Sequence, residues 1–478
     1  MLFNSLEFAV FLPIVFALYW FVFNRTIRVQ NALIVGASYY FYGCWDWRFL
    51  FLIAFSTLVD FSVGRALGRE ERPGRRKLLL WVSLVVNLGL LGFFKYFNFF
   101  VESFVDTFTL LGVPFEATTL NIILPVGISF YTFQTLSYTI DVYRRKLEPT
   151  SDLVAFSAFV SFFPQLVAGP IERATHLLPQ FYRERNFDYA LAVDGCRQIL
   201  WGLIKKVVIA DNCAQYANMV FDNPDAYGAS TLVLGAVFFA FQIYGDFSGY
   251  SDIAIGVSRL FGFDLMQNFA FPYFSRDMAE FWRRWHISLS TWFRDYLYIP
   301  LGGSRGGTWM RVRNTFIIFL VSGFWHGAAW TFVVWGFLNA LYFLPLLLTG
   351  NNRSNLDVVA ADRTLPTLKE VLQMGLTFAL TCLAWIFFRA ESVGDAFHYV
   401  TSLFDTSLLS RPAKLPKKEL VLAAIFFVIE WAGRRDRFAL ETLGFGWNKW
   451  VRRGFYYVLA LAALLLAGRQ AEFIYFQF

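Results

Sequence analysis

Apolar runs alternate with short polar breaks along this chain on the length scale of a bilayer. Crossing about 30 Å of hydrocarbon takes roughly 20 apolar residues. Runs of that kind lie near 6–23, 29–44, 49–66, 78–100 and 121–142, then near 230–245, 314–328, 330–348, 371–388, 419–433 and 454–468. They predict about eleven transmembrane helices. The middle third, 150–313, does not follow this pattern. Stretches such as 156–168 are too short or too interrupted to cross, and 191–208 reads as an amphipathic helix carrying Lys205 and Lys206. Interfacial or re-entrant helices behave this way. The polar stretch 351–363 reads as a loop. The run at 6–23 lacks a basic leader, contains Pro13 and has no small-x-small site after it, so it is expected to be a retained span rather than a signal peptide.

Composition supports the same class. Of 478 residues, 57% are hydrophobic and only 16% charged, and one in five is aromatic, with 58 Phe; soluble domains carry about 25% charge. Disordered, collagen-like and ordinary cytosolic proteins are excluded. The net charge of +7 is no nucleic-acid signature, because the basic residues cluster in short loops between apolar runs. Arg65, Arg69, Arg72, Arg75, Arg76 and Lys77 crowd one loop, Arg144, Arg145 and Lys146 another, and Arg434, Arg435 and Arg437 a third. Placing all three inside puts both termini outside. Cys44, Cys196, Cys213 and Cys382 lie too far apart for a disulfide framework or a zinc pair and are expected to be inert packing thiols. No metal site is expected.

Four histidines are present. His176 and His398 sit in polar stretches without a surrounding pattern and read as solvated or capping residues. His326 lies in Ser322-Gly323-Phe324-Trp325-His326-Gly327, inside an apolar region from 314 to 348. An unbroken helix of that length would run roughly 50 Å, too long for one crossing, so the chain is expected to break near Gly323 or Gly327. An ionisable group at membrane depth is a functional candidate by default, and burial there favours the neutral imidazole that accepts a proton. The alternative is a histidine satisfied by a carbonyl within a bundle. His286 lies in Phe281-Trp282-Arg283-Arg284-Trp285-His286-Ile287-Ser288, followed by Arg294 and Asp295 and by the flexible Gly302-Gly303-Ser304-Arg305-Gly306-Gly307. Interfacial anchoring explains this stretch as well as an anion site does. In the second case Arg283, Arg284, Trp285, Arg294 and Asp295 are the candidate donor-binding set, with guanidinium groups for phosphates and aromatic faces for a base.

Gln242, Asp246, Ser248 and Asp252 belong to a polar run beside an apolar span, loosened by Gly245 and Gly249. Such carboxylates either line a water-filled cavity or pair with cations. The chain closes on Phe473-Ile474-Tyr475-Phe476-Gln477-Phe478, an aromatic tail suited to a groove or to an interfacial belt.

Several of these segments together resemble the membrane-bound O-acyltransferases, in the bacterial branch of alginate O-acetyltransferases and teichoic-acid D-alanyl transfer proteins. They are 281–290 with Phe293-Arg294-Asp295-Tyr296 and Pro300-Leu301-Gly302-Gly303, Trp325-His326-Gly327, Pro125-Val126-Gly127-Ile128-Ser129-Phe130, 165–171 and 244–252. The resemblance covers essentially the whole chain. It implies an all-α polytopic fold, a single membrane domain over 1–478 with a central funnel. Within it, 1–150 would hold the N-terminal spans, 151–313 the interfacial and re-entrant helices, 314–470 the catalytic-histidine region and 471–478 the tail. The resemblance further implies catalytic roles for His326 and His286 and acetyl-coenzyme A as donor substrate, with no permanently bound cofactor. Partners implied are membrane lipid, an extracytoplasmic SGNH-like acetyltransferase and a polysaccharide acceptor, with residence in the bacterial cytoplasmic membrane. The tail resembles an acyl-relay motif, which makes Tyr475 a candidate acyl carrier. In such chemistry a neutral imidazole removes the acceptor proton, worth about 10²–10⁴-fold, or steadies the tetrahedral oxyanion. The rival classes are a flippase using the same polar residues as a path and a non-catalytic scaffold for a secreted transferase.

Overall fold

The computed structural model describes residues 1–113, 118–167 and 169–474. Every regular element among them is helical. They form two compact units, Met1–Ala192 with Val257–Met266, and Val193–Gly256 with Gln267–Phe478.

The first unit contains α1 (Leu6–Ala17), α2 (Ile27–Asp46), α3 (Leu50–Arg69), α4 (Pro73–Leu91), α5 (Phe97–Leu110) and α6 (Ile128–Tyr143). The short α7 (Leu153–Ser161), α8 (Phe163–Leu166) and α9 (Ala174–Leu177) follow, and α10 (Tyr189–Leu203) begins there. The second unit contains α11 (Asp211–Phe221), most of α12 (Ala229–Leu260), α13 (Met278–Arg284), α14 (Ile287–Phe293), α15 (Gly307–His326) and α16 (Trp330–Leu348). It ends with α17 (Leu368–Arg389), α18 (Val393–Ser402), α19 (Lys417–Gly433) and α20 (Lys449–Leu465).

Among the described residues, five helical stretches are long and apolar enough to cross a membrane: Ile27–Arg69, Pro73–Leu110, Ala229–Leu260, Trp330–Leu348 and Leu368–Arg389. The first joins α2 to α3 through a 3₁₀ turn, and the second joins α4 to α5 through a π turn. Large apolar side chains on α4, such as Leu78, Trp81 and Val85, face outward, as lipid-facing positions require. This is a multi-pass membrane protein.

Three expectations are corrected. The run at 121–142 becomes helical only from Ile128. Gly245 and Gly249 do not loosen α12, which runs unbroken from Ala229 to Leu260. A Cβ at Gly245 would lie 2.8 Å from the Lys205 carbonyl oxygen, and one at Gly249 2.8 Å from that of Gly202; the glycines admit a neighbouring backbone. The stretch 191–208 is likewise no surface amphipath. α10 passes into a π turn at Ile204–Ala210, and Lys205 and Lys206 are only 3% and 1% exposed. The cysteines differ among themselves: Cys213 and Cys382 are buried as expected, whereas Cys44 and Cys196 are exposed.

Buried polar groups in such a bundle must be satisfied internally. In the first unit Asp60 of α3 accepts from Asn87 Nδ2 of α4 at 2.8 Å, from Thr139 Oγ1 of α6 at 2.8 Å and from Ser83 Oγ. One carboxylate thus fixes the register of three helices.

His176, on α9, lies between Glu172 Oε2 at 2.8 Å and Asp264 Oδ2 at 3.7 Å. Hydrogen bonding to Asp264 and Glu172 raises its pKa to about 10. A histidine whose folded pKa is raised contributes stability that is complete below the unfolded value, near 6.5, and is lost as pH rises through the folded value. His176→Gln should therefore flatten the alkaline fall of stability between pH 6.5 and about 10, followed by thermal unfolding in detergent at several pH values; an unchanged slope would show that the ring carries no linked charge.

Candidate active site

The site lies in the second unit, where α15 ends. The helix stops at His326, Gly327 is extended, and α16 restarts at Trp330. The break comes at the second of the two expected glycines, and it leaves His326 on the last turn with 3% of its surface exposed. Tight helix packing secures the position. A Cβ on Gly323 would lie 2.2 Å from the Phe332 carbonyl oxygen, and one on Gly336 2.3 Å from that of Phe319, so α15 and α16 meet backbone to backbone.

His286 takes a left-handed conformation (φ 45°) between α13 and α14. That bend turns its ring toward Asn268. Asn268 Nδ2 donates to Ser251 Oγ at 3.0 Å, which directs its oxygen to His286 Nδ1 at 3.0 Å and to Ser288 Oγ at 2.8 Å. The assigned tautomer therefore carries its proton on Nδ1, and Nε2 is the basic nitrogen. Burial pushes the His286 pKa down to about 3, so the ring is neutral at physiological pH.

The two rings lie 6.5 Å apart, centroid to centroid. Trp325 is 6.0 Å from His286 and Phe247 4.6 Å; Trp335 is 5.0 Å and Phe388 5.4 Å from His326. Both imidazoles are thus buried among aromatic rings.

The polar run on α12 meets the two lysines. Lys205 pairs with Asp252, which also accepts from Gln198 at 2.8 Å. Lys206 pairs with Asp246 and Asp211, both at 2.8 Å, and donates to the Ala471 carbonyl at 3.0 Å. Ser248 donates to the Tyr244 carbonyl at 2.6 Å, and Gln242 is buried on the same helix. Asp246 and Asp252 thus follow the second of the two expected alternatives, pairing with cations, and the cations are the two lysines. Asp246 also accepts the Ile474 N–H at 2.7 Å, and Phe473 packs 4.3 Å from Tyr250, which seats the start of the aromatic tail. Tyr475 lies outside the described residues.

A cavity of about 530 Å³ opens in the same unit. Arg294, Arg311, Arg353, Tyr298 and Ser304 give it a cationic, hydroxyl-rich side, and Ile318, Phe319, Phe343 and Leu347 an apolar one. Arg311 Nε is buried with no hydrogen-bond partner among the described residues, an orphan donor suited to an anion. From the cavity wall, Phe319 contacts Trp282 at 5.3 Å, Trp282 contacts Trp335 at 5.7 Å, and Trp335 contacts His326.

Of the expected donor set, only Arg294 lines this cavity. Asp295 pairs with Arg294 at 2.7 Å, Trp285 is a core residue against Trp385 at 5.1 Å, and Arg283 and Arg284 bind other parts of the protein. Sequence reasoning missed Asn268, Arg311 and Arg353. Arg311 and Arg313 directly follow the glycine-rich loop, a basic pair that inspection of charge could have found. Asn268 has no local signal at all.

The described residues thus form an all-helical membrane chain in which two buried imidazoles lie 6.5 Å apart and aromatic contacts lead from one of them to a cationic cavity, an arrangement suited to an enzyme of the group-transfer class. Residues 145–385 match the membrane-bound O-acyltransferase family. The chain is 43% identical to the probable alginate O-acetylase AlgI of Pseudomonas aeruginosa, over 84% of this chain and 75% of that one. It is 38% identical to that of Pseudomonas putida over the whole of both. It is 35% identical to a peptidoglycan O-acetyltransferase of Helicobacter pylori, over 83% of this chain and 78% of that one. The protein belongs to the membrane-bound O-acyltransferase family and is an acyltransferase.

The close approach of α15 and α16 predicts that Gly336→Val, by overpacking, costs about 1–3 kcal/mol and displaces His326. Expected outcomes are a lower melting temperature in detergent and a loss of turnover larger than the loss of folded protein; proportional losses would mean that His326 stays in place.

Proposed function

We propose that the protein takes an acetyl group from cytoplasmic acetyl-coenzyme A and passes it across the bacterial cytoplasmic membrane for O-acetylation of an extracytoplasmic, alginate-like polysaccharide. The relatives named for alginate and peptidoglycan acetylation support a polysaccharide acceptor. The observation that carries the donor assignment is the cavity joined by aromatic contacts to His326: three guanidinium groups suit phosphates, and the apolar side suits an acyl-bearing arm.

In this reading the crossings, an even number of them, form one membrane domain with both termini outside, and a central funnel brings the donor to His326 from one leaflet and the acceptor from the other. The acceptor hydroxyl oxygen attacks the thioester carbonyl as His326 removes its proton. The tetrahedral intermediate collapses with cleavage of the C–S bond, and the imidazolium returns the proton to the leaving sulfur. His286, neutral and fixed by Asn268, shapes the site beside it. Tyr475 supplies that attacking hydroxyl, so the acyl group rests as an ester on its phenolic oxygen until a hydroxyl of an SGNH-like partner displaces the phenol and takes it on; with a phenol pKa near 10, the phenyl ester leaves more readily than an alkyl ester.

His326→Ala should lower polysaccharide acetyl content by about 10²–10⁴-fold at equal membrane abundance; full acetylation in that variant would remove the base assignment and favour a transport or scaffold role. Tyr475→Phe separates the relay from the rest: a loss of polysaccharide acetylation with acetyl-coenzyme A hydrolysis retained is expected, and unchanged acetylation discards the relay alone.

A further inference from the structure

The loop between α16 and α17 has no regular structure over residues 351–367, yet Asn352 and Arg353 form part of the cavity wall. Its backbone carbonyls need donors, and α13 with its flanks supplies them. Arg283 donates Nη1 to the Asn352 carbonyl at 2.9 Å and Nη2 to the Asn355 carbonyl at 2.8 Å. Asn355 Nδ2 donates to Asp277 Oδ2 at 2.6 Å, and Asp277 also caps α13 through the Glu280 N–H at 2.7 Å. Arg276 and Arg284 both donate to the Asp357 carbonyl, at 2.6 and 3.1 Å. The buried Glu280 carboxylate holds those two guanidinium groups at 3.0 and 2.9 Å.

A planar fork spanning two carbonyls is a geometry that lysine, a single point donor, does not reproduce. With both ends of Arg283 engaged, Asn352 is held at a fixed distance from α13, and Arg353 is carried with it. Nothing in the local sequence announces this: the paired arginines of α13 look like ligands for an anion, whereas Arg283 is directed to backbone and Arg284 to Glu280 and backbone.

We propose that Arg283 is a positioning residue for the acyl donor, acting through the loop rather than by contact. It straps residues 352–355 to α13 and so holds Arg353 against the cavity where the donor's phosphates bind. The inference rests on the reading of that cavity as the donor site.

The test uses the full chain in lipid nanodiscs, with acetyl-coenzyme A as probe and thiol release as readout. Arg283→Gln is expected to raise the donor KM about tenfold with kcat changed less than twofold, and Arg283→Lys to recover only part of the loss. Arg353→Gln should raise KM similarly, and the double variant should be no worse than Arg353→Gln alone. Hydrogen exchange in 352–357 should rise in Arg283→Gln, with the melting temperature close to that of the parent. An unchanged KM in Arg283→Gln, or additive effects with Arg353→Gln, overturns the strap, the latter because Arg283 would then touch the donor itself. Arg311→Gln tells the two levels apart. If it raises KM while Arg283→Gln does not, only the strap fails; if it leaves KM unchanged, the cavity assignment fails and the strap with it.

Discussion

Lys205 and Lys206 are neighbours in sequence on a buried turn, so neither ammonium can reach water. Removing one partner from such a buried pair costs about 3–5 kcal/mol, because the other charge is left uncompensated. The π turn at Ile204–Ala210 changes the angular spacing so that both side chains find carboxylates, Asp252 for Lys205 and Asp246 with Asp211 for Lys206. Glycines at 245 and 249 let the backbones approach closely enough for these pairs to form. Much of the second unit follows from that constraint. α12 is fixed against the turn, and the carboxylate of Asp246 is left with an oxygen to seat the backbone at Ile474.

The same helix carries Phe247, which faces His286, and Ser251, which orients Asn268. Charge pairing on one side of α12 and imidazole placement on the other are therefore mechanically linked. His286 is set by a left-handed bend and one asparagine; His326 is set by the end of a helix whose partner lies within backbone contact. Aromatic rings pack around both imidazoles, and for His286 burial favours the neutral form.

Arginine has a recurring structural use here. Arg76 donates to the carbonyls of Glu70 at 2.9 Å and Tyr143 at 3.0 Å. Arg434 donates to those of Val359 and Ala360 at 3.0 and 2.9 Å, and Arg283 to two more. Irregular backbone at or near membrane depth must find donors within the protein, and a guanidinium group provides several at once. Counting such residues only as topology signals or phosphate ligands misreads part of them.

The sequence by itself determined the class and singled out His286 and His326 as candidates, because apolar run length and the rarity of histidine are local signals. It also predicted a break near Gly323 or Gly327, which stand within an apolar region too long for one crossing, and the helix ends at His326. Tertiary structure alone decided which partner each polar group took: lysine for Asp246 and Asp252, loop backbone for Arg283, the Glu280 carboxylate and loop backbone for Arg284, and Asn268 for His286. Those choices depend on distances between segments tens to hundreds of residues apart, and in a low-dielectric interior a difference of a few ångströms determines whether a charge is paired, orphaned or spent on a carbonyl.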